Sequence, residues 1–142
     1  MTSTSGRAAR TAGIAALLAI CHSSGVSANC GAIGQDAQVK FAAMKIAKDE
    51  YKSTFFAETR KPFSPASLDR AILANTKIKI AMDELIEALR KAQTAKCFGK
   101  DADAWARAIP QLQAESDEIG RTREEWLQMQ AEMRRIERGH SR

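Results

Sequence analysis

Between Ser64 and Ala95 apolar residues return at every seventh position in two rows. Leu68, Asn75, Met82 and Leu89 form one, and Ala71, Ile78, Leu85 and Ala92 form the other, three residues on. Rows spaced three and four apart share one face of a helix, so the stretch predicts a long amphipathic helix over 65–96 whose seam needs a partner. Ile72 and Ile86 widen the seam on one flank, which suits a bundle core better than a two-stranded coiled coil. Ser64 is placed to cap the first turn, and Pro65 fits the first helical position, where no backbone N–H is needed. Asp69 falls early, where the helix dipole favours an anion. Arg90, Lys91 and Lys96 crowd the last turns, and Gly99 is the expected stop.

Upstream, Asn29 to Gly34 reads as a short lead-in, and a second helix is predicted over 35–58. Phe41, Met44, Tyr51 and Phe55 share a stripe that Lys48 interrupts, while Val39 and Ile46 lie on the opposite side, so this helix is expected to touch two neighbours. Pro62 and Pro65 hold the residues before them in extended or turn geometry, which makes a short, stiff connection. Helices joined so closely lie antiparallel, giving an αα-hairpin. Cys30, before the first helix, and Cys97, after the second, then meet at its open end, and an oxidising compartment would bond them.

A third helix is predicted over 101–138. Trp105, Leu112, Ile119, Trp126 and Met133 recur by seven without a skip, whereas the companion row of Ala108, Glu115, Thr122, Met129 and Ile136 is weaker. Pro110 is expected to bend this helix rather than end it. Gly120, followed by the capping-box pattern Thr122 to Glu125, would permit a restart, but the heptad phase runs through it, which favours one bent helix. The fold class is therefore all-α: a disulfide-closed antiparallel hairpin plus a longer, bent third helix in a three-helix bundle. At 1.5 Å per residue the third helix would run about 57 Å against roughly 36 Å for the first, so its end should overhang.

Composition narrows the class of protein. Arg7 and Arg10 precede the apolar run from Ala12 to Cys21, and Val26-Ser27-Ala28 offers small residues for a signal peptidase, so residues 1–28 read as a cleaved secretory signal and 29–142 as one helical domain. The apolar run is about half the ~20 residues that span a bilayer, and Ile20 stands where a lipoprotein signal has a small residue before Cys21. Removing the two leading arginines reduces 22 Lys and Arg to 20 against 17 Asp and Glu, a net charge of +3. That mild excess, without a basic stripe interleaved with aromatics, excludes a nucleic-acid partner.

Chemistry is scarce. Beyond residue 28, one histidine, His140 near the terminus, and two cysteines, Cys30 and Cys97, supply neither a metal set nor a nucleophile-base pair, and no phosphate-cradling glycine loop occurs. Glu137 and His140 have the Glu-x-x-His spacing of di-iron bundles, but only once. The carboxylates Asp83-Glu84-Glu87 and Glu124-Glu125 read as solvated faces. No cofactor and no catalytic residue is expected. Trp126, Met129, Met133 and Ile136, beyond the reach of a short hairpin, are the candidate interaction residues, for self-association or for another protein. Arg134, Arg135, Arg138, His140 and Arg142 form a basic tail suited to a helix C-terminus and also to an anionic membrane surface. Asn75, the one polar residue of the best seam, either sits at a wet edge or fixes register and partner choice. Together these features predict a non-catalytic exported interaction protein, an adaptor, chaperone or accessory subunit in the periplasm or envelope. A secreted effector or inhibitor is the alternative.

Overall fold

A computed structural model describes residues 29–59 and 64–141. The expected signal sequence, Cys21, the turn at 60–63 and Arg142 lie outside them. Helix α1 runs Asn29–Thr59, α2 runs Pro65–Thr94, a 3-10 turn spans Gly99–Asp101 and α3 runs Ala102–His140. Helix α2 is central: it packs along both others, while α1 and α3 meet through longer side chains. Contacts that pair Arg90 with Gln113, Asp83 with Ser116, Asn75 with Ile119 and Asp69 with Gln130 make α3 antiparallel to α2 and so parallel to α1.

The heptad rows of α2 are the core. Leu68, Asn75, Met82 and Leu89 are each 0 % exposed, and Ala71, Ile78, Leu85 and Ala92 are buried beside them. Each fully buried Leu or Met is worth about 1.5–3 kcal/mol relative to an exposed one, so this single helix carries much of the hydrophobic drive. Its start is as the sequence predicts. The Ser64 hydroxyl accepts from the Ser67 N–H at 3.1 Å and the Ser67 hydroxyl accepts from the Ser64 N–H at 3.0 Å, a reciprocal capping box ahead of Pro65.

Its end differs. The helix stops at Thr94 because Lys96, three residues ahead of the expected stop, already takes the left-handed conformation, with φ of 56°; Gly99, with φ of 50°, turns the chain again into the 3-10 segment. The Cys97 N–H then donates to the Ala92 carbonyl at 2.9 Å and the Lys96 N–H to Gln93 at 3.0 Å, the paired bonds of a Schellman cap. Turning the chain there sends Cys97 and Phe98, both buried, back onto the core. A Cβ in that conformation costs roughly 1–2 kcal/mol. Lys96→Gly is therefore expected to stabilise the fold by about 1 kcal/mol, net of the extra freedom of an unfolded glycine, read as a higher urea midpoint at unchanged slope. A lower midpoint would show that the lysine side chain contributes something the backbone does not reveal.

The predicted lead-in at 29–34 is also corrected: those residues are the first turns of α1. Cys30, Gly34 and Ala37 are buried on the stripe that continues to Met44 and Ala47, and Ile33 packs against the core. Glycines 31 and 34 depress helix propensity, but burial of this face and the covalent tie at Cys30 outweigh that. Cys30 and Cys97 are bonded, Cα to Cα 5.3 Å, closing a span of 67 residues. The bond thus joins the first turn of α1 to the cap of α2, as an antiparallel hairpin requires.

Helix α3 is continuous through Pro110 and Gly120. Pro110 is exposed on the outer face, where the missing N–H leaves the Ala106 carbonyl facing away from the core. Gly120 has a different role. A Cβ there would stand 3.2 Å from Cε of Lys79, so the aliphatic end of that lysine lies across the glycine.

Candidate functional site

Three features cluster along α3, and the innermost centres on Asn75. Its wet-edge reading is excluded, since the residue is 0 % exposed at the junction of all three helices. The Asn75 Nδ2 donates to the Ile119 carbonyl of α3 at 3.1 Å. Burial raises the Tyr51 phenol of α1 above its ordinary pKa, and its contact with the Asn75 side chain opposes that rise without cancelling it. Tyr51 in turn stacks on Trp126 at 6.4 Å between ring centroids. The Asn75 Oδ1 has no hydrogen-bond partner. Leaving a buried acceptor unmet costs about 1–3 kcal/mol. Asn75→Leu is accordingly expected to hold or raise the melting temperature while loosening α3 against the hairpin, read as faster amide exchange in α3. Unchanged exchange would mean that apolar packing alone fixes the position of α3.

A second polar set sits one to two turns along. Lys48, which interrupts the apolar stripe of α1, pairs with Glu115, which weakens the companion row of α3, at 2.7 Å. The two interruptions are one interhelical contact. Nearby, the Ser116 hydroxyl, fully buried, donates to Asp83 Oδ1 at 2.5 Å and accepts from Lys79 Nζ at 3.0 Å, while Lys79 also reaches Asp83 Oδ2 at 2.6 Å. Burial disfavours the Asp83 carboxylate, yet the bonds from Lys79 and Ser116 and the lysine charge prevail and hold its pKa below the ordinary range. A serine, a lysine and an aspartate in contact invite comparison with hydrolytic sets. Here the hydroxyl is closed to substrate and gives its proton to a carboxylate already paired with a cation, so the trio is an interhelical clamp. Asp83 itself stays on the solvated face, as expected, with its side chain 47 % exposed, and reaches inward only through these bonds. Sequence reading missed Ser116 because one small polar residue on an apolar face carries no periodic signal.

The outer half of α3 holds the candidate interaction residues. With 31 residues, α1 extends about 46 Å rather than 36 Å, but the added turns are residues 29–34 at the disulfide end, beside the start of α3 and not its outer half. Gln130 meets Asp69, and Arg134 approaches Asp69 at 4.0 Å, so α3 lies against α2 almost to its tip. Trp126 and Met133 are half-buried in consequence. Leu127, Met129 and Ile136 stay exposed, at 41 %, 43 % and 53 %. Trp126 and Met133 thus belong partly to the bundle, and the free apolar surface has moved to Met129 and Ile136 on one flank and Leu127 on the other.

Among the described residues no three His, Cys, Asp or Glu side chains converge as metal ligands, and the His140 Nδ1 lies 2.9 Å from the Ile136 carbonyl of its own helix. No described helix is long and apolar enough to cross a membrane. No protein family, curated protein or solved structure matches this chain.

Proposed function

We propose that the protein is a non-catalytic, exported interaction module that works by helix-on-helix contact through the outer half of α3, as an envelope or periplasmic adaptor, chaperone or accessory subunit. One observation carries the reading: Met129 and Ile136 remain exposed, one heptad apart on one face of α3, while Trp126 and Met133 of the same helix are half-buried against the hairpin. Apolar residues at that spacing, rimmed by charge, are how a helix presents itself to another helix. The Cys30–Cys97 bond is compatible with an oxidising compartment, and the leader-like segment at 1–28 supplies the route there.

A photo-crosslinking residue placed at Met129 or Ile136 in the native cell tests this. Adducts from both positions, and none from Val39 or Ile46 on the far side of α1, are expected. Adducts from the hairpin face alone would assign the contact to the wrong helix. Recovery of the adducts from the medium rather than the envelope would favour the secreted effector.

A further inference from the structure

We infer that α3 is hinged at Gly120: its outer arm, residues 121–140, lifts from the hairpin as a unit while residues 102–119 stay packed. Burial along the helix is lopsided. Trp105, Ile109, Leu112 and Ser116 are buried, and among the described residues of α3 none beyond Ser116 is. The arm is held through the stack of Trp126 on Tyr51 and through two polar contacts with a single residue, Asp69, one from Gln130 and one from Arg134 at 4.0 Å. Asp69 and Arg134 are each more than half exposed, so water screens their attraction. Closing also carries a penalty, because Arg123 Nε, just past the boundary, is buried without an acceptor and opening returns it to water.

A helix cut after Gly120 leaves carbonyls without donors on one side and N–H groups without acceptors on the other. Both sides are already provided for. The Ile119 carbonyl, which loses the Arg123 N–H when the helix opens there, keeps the Asn75 Nδ2 at 3.1 Å. Gly120 then stands just past a helix end, where the left-handed conformation that glycine adopts freely is the usual finish. Beyond it, Thr122 and Glu125 have capping-box spacing, so the Thr122 hydroxyl can accept from the Glu125 N–H and the Glu125 carboxylate from the Thr122 N–H. Burial, the glycine, the Asn75 contact and the capping box are separate features, and all place the break at one point. In the closed arm Trp126 and Met133 are half-buried while Met129 and Ile136 face out; lifted, the four lie on one free stripe, spaced by three, four and three. On the reading of outer α3 as an interaction segment, a helical partner that engages all four selects the open arm, but the hinge itself stands apart from that reading.

Amide hydrogen exchange of the oxidised protein, with no partner present, tests the hinge. Residues 121–140 are expected to exchange together, through an opening that added urea hardly promotes, and 105–119 through one that urea promotes strongly. Gly120→Ala should slow exchange across the arm about fivefold, because alanine favours the helical state and resists the left-handed one. Its methyl meets only the flexible end of Lys79, which can yield, so the closed fold accepts it. Gly31→Ala, in open space on α1, should leave exchange of the arm unchanged. Equal slowing by Gly31→Ala would trace the effect to global stability and overturn the assignment to Gly120. Protection that falls off smoothly towards His140, with no step at Gly120, would be ordinary fraying and would overturn the hinge. So would an arm that exchanges in step with 105–119, or one indifferent to Gly120→Ala. The crosslinking result bears on the docking reading alone, so the two can fail separately.

Discussion

Removal of the Cys30–Cys97 bond, by Cys30→Ser with Cys97→Ser, is expected to lower the unfolding free energy by about 4 kcal/mol. The bond closes a span of 67 residues, and the chain-entropy cost of that closure, which the oxidised unfolded chain has already met, is about 4 kcal/mol at 25 °C. Both sulfur atoms are buried, so the serines also place hydroxyls where no water reaches. For a domain of this size the loss corresponds to a melting temperature lower by roughly 15–25 °C. Guanidinium unfolding of the oxidised protein and the double-serine variant measures it. The loss should be concentrated in α1, which has no acidic residue in its first turn to meet the helix dipole and whose first turns contain two glycines. Amide exchange should therefore quicken first at residues 29–37. A loss below about 1 kcal/mol would show that the reduced unfolded chain is already held in hairpin form by residual structure.

Trp105→Ala is expected to cost about 3–5 kcal/mol, whereas Trp105→Phe should cost far less. Trp105 is 0 % exposed, and its ring stacks on Phe98 at 4.9 Å between centroids, immediately beneath the Cys97 cap. Truncation to alanine leaves a cavity where α3 packs on Phe98, in the part of the core that also holds Cys30 and Cys97. The indole Nε1, however, has no acceptor, and a buried donor left unmet costs about 1–3 kcal/mol. Phenylalanine removes that donor while keeping most of the ring, so the lost packing is partly offset. Urea unfolding of both variants gives the comparison. If phenylalanine were as damaging as alanine, the indole N–H would have to be bonded to a water in the fold.

Much of this architecture is legible in the chain. Rows repeating by seven in α2 determine its buried face, and Ser64-Pro65 determine where it starts, because both are local matters of helix geometry and capping. Unbroken heptad phase likewise identifies α3 as one helix across Pro110 and Gly120, and two cysteines flanking a hairpin in sequence, so that they meet at its open end, leave one pairing. The start of α1 was not legible. Local propensity in Asn29–Gly34 is poor, and only the bond to Cys97 and contact with the core make those turns worth forming.

The candidate site divides in the same way. Spacing alone places Met129 and Ile136 on a common face, but their exposure depends on how far α1 and α2 run beside α3, which is a tertiary quantity. Trp126 shows the converse, since the residue that stood out most in the row is half covered by Tyr51. Polar pairs between helices were least accessible of all. Lys48 with Glu115, and Lys79 with Asp83 and Ser116, each look like a lapse in an apolar pattern until the two helices are set side by side. A periodic pattern reports what one helix does with its own faces. Which lapse answers which depends on the offset between helices, and that offset is decided by packing around Asn75 and by the covalent tie at Cys30, neither of which has a period.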